Sequence, residues 1–255
     1  MKTPDWGKTA ADFARHRAGF PESLFTRLGE RGIGGEGQEL LDVGTGTGSL
    51  GRGFARRGCR VTGLDPAEPL LEQARRLDSG EGLTTGYVVG RAEDTGFPDG
   101  QFDIVAMGQC FHWLDRPRAT AEALRILKPG GWLVIAHFDW IPRPGNPAAV
   151  TEELILRHNP GWTLAGGNGL YPGWLADVVG AGFADVETFA YDHDVIYSQE
   201  DWRGRIRASA GVGGTLGADA VAAFDREHEE LLRSRFDSHL VVPHRVFALI
   251  ARRQV

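Results

Sequence analysis

Short apolar runs recur through the first half of the chain, at Glu39–Val43, Arg60–Leu64, Gly86–Val89, Phe102–Met107 and Trp132–Ala136. Each is of strand length and bounded by polar or turn-forming residues, so each predicts a strand. The intervening stretches, Gly48–Arg57, Pro69–Leu77 and Arg118–Leu127, space their apolar residues as amphipathic helices do. Asp115, two residues before Pro117, supplies the cap and first-turn proline that start a helix. Lys128-Pro129-Gly130-Gly131 is expected to end that helix and turn the chain into the next strand. Strands alternating with helices predict an α/β fold, a parallel sheet covered by helices on both faces.

The rhythm breaks after Ala136. His137–Pro147 carries too much proline and aromatic character to predict a plain helix or strand. A helix follows at Ala148–His158, then a glycine-rich loop at Asn159–Pro172, a helix at Trp174–Gly180 and a strand at Val186–Tyr191. Helices near Gln199–Ser209 and Ala218–Arg235 lead to a last strand around Val246–Ala251. Because the middle portion is short and embedded, it reads as a cap over a cleft. The organisation expected is an N-terminal helical entry segment at 1–38 and a core at 39–138. A cap insertion at 139–182 follows, then the rest of the sheet with further helices at 183–255.

Composition narrows the partners. The 255 residues carry 28 Lys+Arg against 34 Asp+Glu, a net charge of −6, and a nucleic-acid binder needs the opposite balance. No apolar run reaches the roughly 20 residues that span a bilayer, and the N-terminus lacks a signal-peptide core. Two cysteines, Cys59 and Cys110, fit a reducing compartment, and the expected location is cytoplasmic. The scattered histidines show no metal-ligand spacing, and Cys110 is expected to be a small buried hydrophobe.

The segment richest in chemistry is Leu41-Asp42-Val43-Gly44-Thr45-Gly46-Thr47-Gly48. A strand running into alternate glycines and then a helix lets backbone approach a ligand beyond the strand's carboxyl end. The dinucleotide pattern Gly-x-Gly-x-x-Gly fails here, since Ser49 stands at its last position. Asp42 at the strand tip would repel a diphosphate but favour a sulfonium with an α-ammonium group. S-adenosylmethionine therefore fits better than NAD. Asp65 ends the second strand, where an acid accepts ribose hydroxyls in either cofactor class, with Pro66 behind it.

Four segments in this order resemble class I S-adenosylmethionine-dependent methyltransferases, in particular the small-molecule and trans-aconitate-type group. They are Leu41–Gly48, Val61–Pro66, Gly90–Phe97 with Phe102–Val105, and Phe111–Asp115 with Leu127–Trp132. Upstream, Phe13–Pro21 is similar to the group's entry segment, with Ala18 where proline is commoner. The resemblance implies a Rossmann-like, mostly parallel sheet of seven strands, the last antiparallel. It also implies that Gly44, Thr45 and Gly46 line the methionine and ribose portions and that Asp65 takes the ribose. Arg91, Ala92 and Glu93 match the adenine stretch, with Arg91 where Asp or Asn is usual. Gln109 would face the methionine end, and Arg17 could pair with its carboxylate.

Methyl transfer discharges a sulfonium without creating much new charge, so positioning and exclusion of water dominate. Phe111, His112 and Trp113 are expected beside the sulfonium, His112 being the leading base, followed by His137 and Asp139. Trp140, Trp162, Tyr171 and Trp174 form either an aromatic lid over substrate or the insertion's own core, with Trp140 the candidate substrate contact. Arg143, Arg157, Arg205, Arg207 and Arg245 could include a clamp for a carboxylated substrate. The expected activity is methylation of a small molecule, on oxygen in preference to nitrogen or carbon, by a monomer or homodimer. Expected partners include no nucleic acid, membrane or metal. A nicotinamide-dependent oxidoreductase, or a cyclase or binding protein that uses the cofactor as scaffold, are the alternatives.

Overall fold

The structure, a computed structural model, describes residues 6–255; residues 1–5 of the expected N-terminal segment lie outside the described residues. Its helices are α1 (Ala10–His16), α2 (Glu22–Gly29), α3 (Ser49–Ala55), α4 (Glu68–Glu81), α5 (Arg116–Ile126), α6 (Pro147–His158), α7 (Trp174–Gly180), α8 (Gln199–Arg207) and α9 (Ala218–Arg235). The strands are β1 (Glu39–Val43), β2 (Arg60–Asp65), β3 (Gly86–Val89), β4 (Phe102–Gly108), β5 (Leu127–Trp140), β6 (Ala184–Ser198) and β7 (His239–Arg252). They form one sheet in the order β3-β2-β1-β4-β5-β7-β6. From β3 to β5 neighbours run parallel, and β7 lies antiparallel to β5, as the resemblance implied. Among the described residues no helix is long and apolar enough to cross a membrane.

The chain divides into two compact units. One, the glycine-loop unit, comprises Gly19–Phe138, Tyr171–Tyr191 and Val246–Val255. Its central strands β1 and β4 are buried almost throughout, because helices cover both faces and leave no polar side for alternation to serve. Leu41, Val105, Leu133 and Leu249 meet Ala119, Ala123, Trp174 and Val178 in its core. The Asp115 side chain accepts a hydrogen bond from the Arg118 amide and starts α5, with Pro117 in the first turn.

The second unit comprises Asp139–Leu170, Asp192–Arg245 and the described part of Met1–Ala18. Its core gathers Leu154, Ile155, Trp162, Tyr197, Trp202 and Phe224 with Leu240 and Val242 of β7. Helix α1 packs on α8 at Gly204, where a Cβ would stand 2.2 Å from the His16 ring. That ring's Nδ1 lies 3.0 Å from an Asp201 carboxylate oxygen. Gly204→Ala should therefore lower stability by about 1–3 kcal/mol through overpacking, read as a fall in the urea midpoint. An unchanged midpoint would show that α1 does not pack closely at this glycine.

Two expectations need correction. His137–Pro147 is not wholly irregular, since β5 continues through Trp140, and β6 and β7 likewise outrun the short apolar runs that marked them. Nor does Lys128–Gly131 serve only as a turn, because it lies inside β5. The cause is the antiparallel ladder. Gly130 N–H donates to the Arg253 carbonyl and Arg253 N–H to the Gly131 carbonyl, both at 2.9 Å. At the other end Ile141 N–H reaches the Pro243 carbonyl at 2.7 Å. Backbone pairing extends these strands beyond what their side-chain pattern announces.

Candidate functional site

The parallel strands β1, β2 and β4 end side by side, and the glycine loop leaves the tip of β1. Gly44, Gly46 and Gly48 all adopt left-handed backbone, with φ of 63°, 55° and 80°. A Cβ on Gly44 would stand 2.8 Å from Cβ of Cys110, and one on Gly48 2.7 Å from the Tyr87 hydroxyl. Conformation and space thus both demand glycine there. Cys110 is half-buried against this loop, its thiol 3.2 Å from the Val43 carbonyl.

Asp42 lies under the loop, 1% exposed. Its Oδ2 accepts from the Thr45 hydroxyl at 2.6 Å and the Gly51 amide at 2.9 Å, tying the strand tip to the start of α3. Its Oδ1 is buried with no hydrogen-bond partner in the protein. Burial pushes this carboxyl up to about 6, while the bonds from Thr45 and Gly51 pull it down. Asp65 occupies the equivalent tip of β2 and is also buried. Its two oxygens accept from the amides of Gly46, at 2.9 Å, and Ala67, at 2.8 Å. Burial raises its pKa against those two bonds. Each oxygen keeps a second lone pair, so Asp65 can both shape the turn before exposed Pro66 and accept hydroxyls.

Gln109, just past β4, is a non-glycine residue at φ 60°. Its amide N–H holds the Ala136 carbonyl at 2.9 Å, while its side-chain Nε2 is buried with no protein partner. A strained backbone beside an unspent donor marks a position built for something other than stability. Asp42 Oδ1 offers a negative acceptor and Gln109 Nε2 a neutral donor, at the ends of adjacent strands. This pair suits the ammonium and carboxylate of an amino-acid tail. Among the described residues, the cation nearest the loop is Arg52, and its charge is already bonded to Asp78 rather than offered to a pyrophosphate.

Arg52 belongs to a buttress that sequence reasoning missed. Its guanidinium donates to Asp78 at 2.7 Å and to the Thr47 carbonyl at 2.9 Å, and the Tyr87 hydroxyl donates to the other Asp78 oxygen at 2.7 Å. Burial and the Asp78 carboxylate raise the Tyr87 pKa, keeping it a donor. The network fixes the glycine loop from below. The one signal available was an arginine among the small residues Gly51 and Gly53 on α3.

Of the stretch matched to adenine, Ala92 is buried in the core and Arg91 points outward. Glu93 accepts from the Asp115 amide at 3.1 Å and lies 3.7 Å from Arg91. Phe111 is wholly buried, edge-on to Trp174 at 5.1 Å between centroids, and faces the core rather than an opening. His112 packs on Trp113 at 4.5 Å and on His137 at 5.1 Å, so the structure brings two of the three candidate bases together. His137, fully buried, also touches Tyr171 and Trp174, which stack on each other at 3.9 Å. Asp139, Trp140 and Arg17 belong to the second unit. There Trp140 donates to Glu152 at 2.7 Å, and the Arg17 guanidinium lies over the Phe13 ring at 4.4 Å.

If Asp65 accepts ligand hydroxyls, Asp65→Ala should weaken nucleoside binding by about 1–3 kcal/mol. Calorimetry with S-adenosylhomocysteine reads the effect, and an unchanged affinity would confine Asp65 to the turn.

Comparison with known proteins agrees with this geometry. Residues 41–135 match the family described as "Methyltransferase domain". An uncharacterized methyltransferase of Mycobacterium tuberculosis is 28% identical over 193 residues, 68% of this chain and 74% of the relative. The demethylmenaquinone methyltransferase of Tropheryma whipplei is 39% identical over 124 residues, 48% of this chain and 49% of that one. Among solved structures, one from Bacillus halodurans, named as a methyltransferase candidate, shares the fold. Its TM-score is 0.60 at 22% identity, covering 91% of this chain and 100% of the other. Over residues 41–135 the chain is therefore similar to methyltransferases, and its fold is the one they share.

Proposed function

We propose that the protein transfers a methyl group from S-adenosylmethionine to a small-molecule acceptor, on oxygen. The observation that carries the cofactor assignment is Asp42, whose buried, unpaired oxygen stands at the head of a glycine loop. A ligand bearing positive charge offsets the cost of that buried carboxylate, whereas a diphosphate adds to it.

When bound, S-adenosylmethionine supplies an activated methyl group on a sulfonium. Asp42 and Gln109 would hold the methionine ammonium and carboxylate, and Asp65 the ribose hydroxyls. The left-handed glycines let backbone amides close against the ligand. Glu93, Arg91 and the backbone at Ala92 would meet the adenine, and Arg17 is the proposed partner of the methionine carboxylate. Phe111, under His112 and Trp113, fixes the turn that presents them, and aromatic faces there favour a neighbouring cation. One imidazole nitrogen of His112 would take the proton of an acceptor hydroxyl, with His137 packed against the ring to hold its orientation. Asp139 and Trp140 are the proposed acceptor-side residues of the second unit.

The reading is supported by the family match and by relatives named for small-molecule acceptors, demethylmenaquinone among them. It is tested by incubating the protein with S-adenosylmethionine and a panel of phenols, carboxylic acids and amines under mass spectrometry. A gain of one methyl group on an oxygen acceptor is expected. Methylation of nitrogen or carbon only would move the acceptor atom, and no methyl transfer to any acceptor would contradict the reading.

A further inference from the structure

The five arginines that composition offered as an anion clamp have unequal surroundings in the second unit. Arg143 and Arg245 both bond to Asp192 at 2.7 Å. Arg157 pairs with Glu227, and Arg207 is shared among Asp12, Glu200 and Asp225. Arg205 differs. It is 8% exposed, on the buried side of α8, and among the described residues its guanidinium makes no hydrogen bond and no ion pair. A buried charge left in this state is costly, and folding alone gives no reason to keep it.

Its surroundings define what it awaits. Trp140 covers one face of the guanidinium, 4.8 Å from carbon to ring centroid, so the plane's edge with its fork of N–H donors remains for a partner. Tyr197, Trp202 and Trp140 pack as one aromatic group, with centroids 5.3 Å and 5.6 Å apart. The His244 Nδ1 lies 2.9 Å from the Val242 carbonyl and therefore carries the proton, leaving Nε2 3.5 Å from the Tyr197 hydroxyl. Burial pulls the His244 pKa down to about 4, so at neutral pH it adds no charge. Asp139 acts on Arg205 from beyond ion-pair distance, while Arg205 and Arg17 act on the Tyr197 hydroxyl against Asp201.

We propose that Arg205 is a specificity-determining residue that receives a carboxylate carried by an aromatic or similarly flat methyl acceptor, Trp140 backing the guanidinium and Tyr197 walling the site. This rests on the methyltransferase reading and names its substrate class.

The test is a set of thermal-shift titrations on the full chain, with and without S-adenosylhomocysteine. The probes are benzoate and cinnamate, the matched neutral benzamide and cinnamamide, and inorganic phosphate. The acids should raise Tm and the amides should not. Arg205→Met should lose at least tenfold in affinity for the acids while its ligand-free Tm equals or exceeds that of the parent, because an unpaired buried charge has been removed. Arg205→Lys, which keeps charge but lacks the fork, should also lose at least tenfold. A lower ligand-free Tm in Arg205→Met would make the residue structural and overturn the proposal. So would equal responses to acids and amides, a response to phosphate alone, or no response to either acid. Absence of any shift with S-adenosylhomocysteine would instead overturn the methyltransferase reading, an outcome separate from the acid response.

Discussion

Lowering the pH from 7 to 5 should weaken S-adenosylhomocysteine binding about tenfold, the loss falling mainly below pH 6, where Asp42 takes up its proton. The sign follows from the site. An ammonium group binds the ionised carboxylate, and burial has raised the carboxyl to about 6, so acid removes the binding form. Stability of the ligand-free chain runs the other way. The folded state holds this proton more tightly than the unfolded state, so the group's contribution is largest below the unfolded value near 4 and is lost as pH rises through 6. At pH 7 ionised Asp42 therefore costs the free protein about 3 kcal/mol. Asp42→Asn keeps an oxygen for Thr45 and Gly51 but carries no charge. It should raise the ligand-free Tm at pH 7, flatten the pH dependence, and weaken binding by about 1.5–3 kcal/mol. A variant with parental affinity and an unchanged pH profile would remove Asp42 from the ligand.

His112→Ala should lower turnover by about 10²–10⁴-fold if the acceptor loses a proton to this ring, with S-adenosylhomocysteine affinity within about twofold of the parent. The ring's packing on His137 and Trp113 gives the variant some structural consequence as well. The pH–rate profile separates the two effects. A base leaves an acid limb in the parent that disappears in His112→Ala, whereas a packing residue lowers the rate equally at every pH. Full activity in the variant would assign His112 to the loop's structure alone.

The central sheet was legible because burial on both faces writes β1 and β4 as unbroken apolar runs, and the glycine spacing marks the turn that follows β1. Asp42 and Asp65 were legible for the same reason: an acid at the end of such a run has no role in packing. Other features depend on contacts distant in sequence. The full lengths of β5, β6 and β7 come from antiparallel pairing, which side-chain pattern does not encode. The Arg52–Asp78–Tyr87 buttress joins α3, α4 and β3, and only the fold brings these residues together. The aromatic residues gathered after Trp140 divided in a way composition could not show. Tyr171 and Trp174 pack in the glycine-loop unit, whereas Trp140 and Trp162 pack in the second. Arg205 was one of five equivalent arginines until the partners of the other four became visible.

Titration calorimetry at pH 7 with S-adenosylhomocysteine and, separately, with NAD tests the electrostatic selection most directly. One-to-one binding of S-adenosylhomocysteine is expected, with no heat of binding from NAD. Saturable binding of NAD with S-adenosylhomocysteine silent would contradict it.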